Sequence, residues 1–199
     1  MILQLKNNIS QDKAQEIANS IDAFLIHQDG KQVLISGSGM KEVPNSIESN
    51  VDEFWVFDTD IQLASKKYRS EKREVKIGNT TIGGNTKSTI IGGPCSVESE
   101  EQIRQSAELI KGMGLTTLRG GCYKPRTSPY SFQGMGLAGL KLLKKMREEY
   151  GLNVITEARD ATHIEEIIEY SDVIQVGAKA MYDQGILRAC AKTNKPVLI

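Results

Sequence analysis

The sequence has no excess of charge of either sign: 25 Lys and Arg face 25 Asp and Glu, for a net formal charge of zero. Nothing global therefore points to nucleic acid or an anionic membrane, and any positive potential has to come from local clustering. No apolar run approaches the ~18 residues of a membrane helix. The opening MILQLKNNISQDK lacks the basic, apolar and small-residue regions of a signal peptide. A cytoplasmic protein with no membrane or nucleic-acid partner is the simplest expectation. Cys95, Cys122 and Cys190 are an odd, widely spaced set without a C-x-x-C pair. That spacing fits reduced thiols better than a disulfide framework or a structural zinc site. What is present is ordinary for a globular protein: 39% hydrophobic and 25% charged over 199 residues, enough for one large domain or two small ones.

The pattern along the chain separates two regions. Ile2 to Leu5 alternates as a strand, and Ser10 caps a helix that places Ala14, Ile17, Ala18 and Ile21 on one face. Phe24 to His27 and Gln32 to Ile35 flank Asp29-Gly30, a dipeptide that favours a type I′ hairpin turn. A weak helical segment at Pro44 to Ser49 and a strand at Glu53 to Phe57 complete a β-α-β-β-α-β order, that of a ferredoxin-like unit over residues 1–58. Residues 59–73 are polar and charged and read as a linker. From Glu74 a small hairpin precedes a regular alternation. Strands are expected at Ser88 to Gly92, Leu115 to Arg119, Asn153 to Thr156, Val173 to Val176 and Pro196 to Ile199. Helices fall at Ser99 to Lys111, Leu137 to Tyr150, after Thr162, and at Gln184 to Lys192, with capping boxes at Ser99/Gln102 and Thr162/Glu165. Repeated βα units demand a parallel sheet covered by helices. Residues 74–199 are too short for eight units at the usual size of about 250 residues. The expected fold class is thus α/β: an incomplete (βα)8 barrel, four βα units plus a fifth strand, behind a small α+β domain. The chain reads as cut after KPVLI, with a small open sheet as the alternative.

Ligands of parallel α/β folds sit at the carboxyl ends of strands. Those positions carry Pro94-Cys95-Ser96, Arg119 to Ser128, Glu157-Ala158-Arg159 and Gly177-Ala178-Lys179, and three of the four hold cations. A solvated rim is the plain alternative for any one lysine. The stretch LRGGCYKPRTSPYSFQG is harder to dismiss as a flexible surface loop. Pro125 and Pro129 fix φ, the paired glycines admit close backbone approach, and Lys124, Arg126, Thr127 and Ser128 offer cations and hydroxyls to phosphate oxygens. A cysteine in a strand-end turn such as Cys95 is ordinarily a small buried hydrophobe.

In order, IIGGPCSVES, LRGGCYKPRTSPYSFQG, VITEARD and IQVGAK resemble the 3-deoxy-D-arabino-heptulosonate 7-phosphate (DAHP) synthases of the class related to 3-deoxy-octulosonate 8-phosphate synthase. The resemblance covers residues 74–199, and KPRTS is its most specific part. The N-terminal region is similar to the ferredoxin-like extension of some members, which implies feedback control by an aromatic amino acid. Its strands argue against the all-helical chorismate mutase extension of others. The resemblance implies condensation of phosphoenolpyruvate with erythrose 4-phosphate in a homo-oligomeric, metal-dependent transferase of the shikimate pathway. It implies that Arg119 and Lys124 bind phosphoenolpyruvate, with Lys124 catalytic, and that Ala178 and Lys179 hold its phosphate. Pro125, Arg126, Thr127 and Ser128 would grip the sugar phosphate, Glu157 would line the pocket, and Cys95 would be the first ligand of a divalent ion such as Mn, Fe, Co or Zn.

Cys122, Cys190, His27 and His163 match no ligand. Lys179 stands where the family commonly has Arg, and an ammonium cannot form the bidentate fork of a guanidinium. The family's other metal ligands match nothing in this chain. Two further readings remain at this stage: another phosphoenolpyruvate-dependent 3-deoxy-sugar-phosphate synthase, and a noncatalytic ligand-binding or interaction module.

Overall fold

The structure is a computed structural model and describes residues 1–124 and 126–199. The chain forms two compact units, Met1–Lys72 and Arg73–Ile199.

In the first unit, β1 (Ile2–Leu5), α1 (Gln11–Ser20), β2 (Phe24–Gln28), β3 (Lys31–Ile35), α2 (Asn45–Glu48) and β4 (Val51–Trp55) follow the expected order. The sheet runs β2-β3-β1-β4 with every pairing antiparallel, the ferredoxin-like arrangement. Ser10 caps α1 by accepting from the Lys13 amide, and Asp29 and Gly30 both take positive φ, as a type I′ turn requires. Alternation in β1 sends Leu3 and Leu5 to the helices, against Ala14, Ile17, Ala18 and Ile47. Ile2 faces the other side with Val33, Phe57 and Trp55. The last strand begins at Val51 instead of Glu53, because its pairing with β1 shifts register between Gln4 and Leu5. Residues 59–72, expected as part of a linker, belong to this unit. Gln62 is buried and donates to the Ser36 carbonyl (2.7 Å), and Tyr68 meets Trp55 edge-on. Their polarity hides two anchors.

The second unit opens with a hairpin, β5 (Glu74–Ile77) and β6 (Thr80–Gly83). Five parallel strands follow: β7 (Ile91–Gly92), β8 (Thr117–Arg119), β9 (Asn153–Ala158), β10 (Val173–Val176) and β11 (Val197–Leu198). They lie side by side in chain order, the arrangement of the opening strands of a (βα)8 barrel. Between them run α3 (Glu100–Gly112), α4 (Leu137–Tyr150), α5 (Ile164–Tyr170) and α6 (Gln184–Ala191). Ile103, Ala107, Leu140, Leu143, Ile167 and Ile186 on the helices bury against Leu118, Val154 and Ile174 of the sheet.

Ser99 caps α3 as expected, while Gln102 reaches back to the Glu98 amide and the Ser96 carbonyl. Before α5 the cap is Asp160 rather than Thr162. The Asp160 carboxylate accepts from both the Thr162 amide and its hydroxyl, and a short 3₁₀ turn leads into the helix. The strand expected from Ser88 is reduced to Ile91–Gly92, since β8 offers only Thr117 and Leu118 to pair with it. The hairpin closes the amino ends of the strands. Ile77 packs on Ile155 and Val173, and Asn153 donates to the Thr80 hydroxyl (3.0 Å). The carboxyl ends are left to the loops.

Candidate functional site

The site begins at the last residue of β8. Arg119 is held by four acceptors from three neighbouring strand ends. Its Nε donates to Gln175 Oε1 (3.0 Å), its Nη1 to the carbonyls of Pro94 (3.3 Å) and Cys95 (3.1 Å), and its Nη2 to Glu157 (3.3 Å). Strand pairing fixes these partners, because Arg119 lies opposite Ile155 and the register of β9 with β10 sets Glu157 opposite Gln175. Lys124 turns back from the following loop, buried to 6% exposure. Its ammonium donates to the Cys95 carbonyl (2.9 Å) and thiol (3.3 Å) and lies 3.9 Å from Glu157. Both cations therefore share one carbonyl and one carboxylate, which neutralises only one of them.

The approach depends on the paired glycines. A Cβ at Gly121 would press on the Cys95 carbonyl and on Lys124 Nζ, so any other residue there would push the ammonium away. The neighbouring Gly120 carbonyl accepts from the buried Thr156 hydroxyl (2.7 Å), which ties this turn to β9.

Cys95 is exposed, contrary to the ordinary reading of such a cysteine. The hydrogen bond from Lys124, then its charge, then Arg119 hold the Cys95 thiol below the usual range. Cys122 and Cys190 are buried, and burial pushes the Cys122 thiol up to about 12. His27 is exposed and bonded to Gln11 (2.7 Å), while His163 stacks on Tyr123, and neither adjoins the cation cluster.

The structure thus brings together Arg119, Lys124, Cys95 and Glu157. Arg126, Thr127 and Ser128 are exposed on the loop, and the Ser128 carbonyl is taken up by Ser131 and Gln133 in a local turn. Ala178 and Lys179 are exposed in the turn after β10. Pro125 lies outside the described residues. Gln175 and Thr156 escape a reading of the residues past each strand, although Gln175 is the one polar residue of β10 and Thr156 is a fully buried hydroxyl within β9. That is where a buried hydrogen bond is to be expected.

Among the described residues, no group of three or more His, Cys, Asp or Glu side chains could hold a metal ion. Cys95 is one soft donor, already facing an ammonium, whereas a catalytic divalent ion typically takes about three protein ligands. These residues alone do not make a metal site. No helix is long and apolar enough to cross a membrane among them.

A parallel α/β sheet in chain order, with paired cations clustered at its strand ends, defines a protein of the (βα)8 class. Residues 60–199 match the model of the DAHP synthetase I family, and the chain belongs to that family. It is 42% identical over 138 residues to phospho-2-dehydro-3-deoxyheptonate aldolase of Thermotoga maritima, covering 69% of this chain and 40% of that one. It is 31% identical over 137 residues to 2-dehydro-3-deoxyphosphooctonate aldolase of Fusobacterium nucleatum, covering 65% and 49%. A crystal structure of the Thermotoga maritima DAHP synthase matches with a TM-score of 0.66 at 33% identity, over 98% of this chain and 59% of that one. A truncated form of that organism's enzyme matches with a TM-score of 0.59 at 35% identity, over 68% and 47%. The chain spans less than two thirds of the length of each.

Proposed function

We propose that the full-length protein condenses phosphoenolpyruvate with erythrose 4-phosphate to give DAHP and inorganic phosphate, the first step toward the aromatic amino acids. The observation that carries this reading is the convergence of Arg119 and Lys124 on the Cys95 carbonyl in a chain of this family. Phosphoenolpyruvate brings a carboxylate and a phosphate, and a site with two cations and one carboxylate has charge left to receive them. Arg119 is already held by four acceptors, so it is oriented before the anionic substrate arrives and little reorganisation is needed on binding. Lys124 orients the same substrate. Lys179 and the Ala178 amide bind its phosphate, Arg126 to Ser128 with Pro125 bind the sugar phosphate, and Glu157 keeps the two cations apart and aimed.

The family is generally metal-dependent, and in the full-length protein Cys95 would be one of several ligands of a divalent ion, which would supply Lewis-acid chemistry at the aldehyde or orient water. The 31% identity to an octulosonate-type aldolase supports a second reading, in which the aldose is arabinose 5-phosphate. Phosphate release from phosphoenolpyruvate, measured with each aldose in turn, separates the two. Release with erythrose 4-phosphate alone is expected, and release only with the pentose would overturn the assignment.

The first unit is regulatory in this proposal, and the full-length protein is a homo-oligomer of the cytosol. A cavity of about 640 Å³ on the face of its sheet that lacks the helices is lined by Trp55, Tyr68, Gln4, Lys31 and Arg69 among others. Aromatic rings beside cations suit an aromatic amino acid carrying a carboxylate. Trp55 is the one tryptophan of the chain, so a change in its emission on adding phenylalanine, tyrosine or tryptophan's non-fluorescent analogues tests the idea.

A further inference from the structure

The loop that carries Lys124 leaves β8 and returns at α4, and its two stems are tied to each other. The Lys124 amide donates to the Gln133 carbonyl (2.9 Å), and the Gly136 amide donates to the Cys122 carbonyl (3.0 Å). These bonds close the loop on itself. The stem itself is anchored as far as Gly121, since Gly120 bonds to Ile155 and Thr156 of β9 and the Gly121 carbonyl accepts from the Val97 amide. Past that point, one residue before Lys124, a further link is made by Tyr123. Its ring stacks on His163 with centroids 3.9 Å apart and planes at 26°, and its hydroxyl donates to the Glu166 carboxylate. The other stem is tied to the same region, where Arg159 Nη1 donates to Gln133 Oε1 (3.3 Å).

Every one of these partners follows β9, the strand that carries Glu157. A phenylalanine would fill the apolar part of the Tyr123 position as well as tyrosine does, so the hydroxyl calls for its own explanation. Burial and the Glu166 carboxylate both hold the phenol in its protonated, donating form. The bond to Glu166 is charge-assisted, the strong kind. One residue further along, Lys124 must reach 2.9 Å from the Cys95 carbonyl across a gap that no other residue type at Gly121 would leave open. A small swing of the loop stem would break that contact.

We propose that Tyr123, acting through Glu166 and His163, is a positioning residue that locks the cation-bearing loop to the unit following β9 and so sets the Lys124 ammonium in the site. The kinetic part of the test rests on the reading of Lys124 as a substrate-binding group, and the proteolytic part does not.

In the full-length protein, Tyr123→Phe, Glu166→Ala and Glu166→Gln are compared by trypsin nicking after the exposed Arg126, read by mass spectrometry. Where reclosing outpaces cleavage, nicking reports how often the loop opens. Tyr123→Phe and Glu166→Ala are each expected to speed nicking roughly tenfold, the effect of losing one charge-assisted bond. Their combination should be no faster than either alone, and Glu166→Gln, whose amide oxygen still accepts the phenol in a weaker neutral bond, should lie between these variants and the parent, within roughly threefold of the parent. Cuts after Lys141 and Lys144 inside α4 report global unfolding and should not change. In steady state, kcat/KM for phosphoenolpyruvate should fall roughly tenfold in the first two variants and recover to within roughly threefold of the parent in the third.

Parental nicking and kinetics in Tyr123→Phe would overturn the proposal and leave the ring as packing alone. If Tyr123→Phe unfolds, the contrast of Glu166→Ala with Glu166→Gln decides, and equal behaviour of that pair overturns it. A parent protein that turns over neither aldose would refute the catalytic reading while the nicking result still decides the role of Tyr123.

Discussion

Cys95 and Cys122 lie past the ends of the neighbouring strands β7 and β8 and have opposite reactivities. Cys95 is exposed with its thiolate favoured by Lys124, while Cys122 is buried and held as a thiol. At pH 8, iodoacetamide should modify Cys95 at least roughly tenfold faster than Cys122 or Cys190, as peptide mapping would report. Lys124→Met should slow that labelling and move its pH midpoint upward, and an unmoved midpoint would detach Lys124 from the thiol. The raised Cys122 pKa also has a thermodynamic sign. Its stabilisation is complete below the unfolded value of about 9 and is lost as pH rises toward 12. Urea midpoints from pH 8 to 10.5 should therefore fall, and fall less in Cys122→Ala. If Lys179 binds phosphate as proposed, it does so with a point charge rather than a bidentate fork, and Lys179→Arg should then lower the KM for phosphoenolpyruvate in the full-length protein by roughly threefold or more. A higher KM would take position 179 out of the phosphate site.

Among the turns and helices, two glycines make a sharp comparison. Gly93, between β7 and the Cys95 turn, has φ +138°, and a Cβ there would collide with the backbone carbonyl of Arg119. Gly93→Ala should cost about 1–3 kcal/mol in urea unfolding. Gly112 ends α3 with open space around its Cα, and Gly112→Ala should instead stabilise by roughly 0.4–1 kcal/mol. Equal effects at the two sites would refute the geometric account.

Elements with a strong period and a polar cap were legible in the sequence. Leu137–Tyr150 is found with the bounds its apolar spacing predicts, and Ser10 and Ser99 cap as their positions require. The strands that set the site were blurred, because β7 has two paired residues and a register shift moved β4. At Asp160 the sequence offers two side chains that could cap, and the carboxylate, the stronger acceptor, takes the role from Thr162. The cations of the site were legible from their place after strands. Gln175 was not, since its partner Arg119 comes from a strand far away in sequence and close only through the sheet.

For the whole molecule, each unit carries its own apolar clusters, and the first has a complete four-stranded sheet with helices on one face. Residues 1–72 should therefore unfold cooperatively when expressed alone, seen as coincident fluorescence and circular dichroism transitions. Non-coincident or featureless transitions would show that its sheet depends on the rest of the chain. Residues 1–199 offer one thiolate and no further set of metal donors among those described, so they should release no phosphate from phosphoenolpyruvate and erythrose 4-phosphate with any divalent ion. Measurable turnover would show that residues 1–199 suffice for the reaction, by holding the ion themselves or by working without it. The order β7-β8-β9-β10-β11 has a further consequence for how the protein is made. A strand leaving the ribosome finds its partner already laid down as the preceding strand, at the open edge of the sheet, and the helix between them is the only chain to be closed into a loop. Synthesis from the amino end can thus add these five strands one at a time, none of them having to be inserted between two laid down earlier.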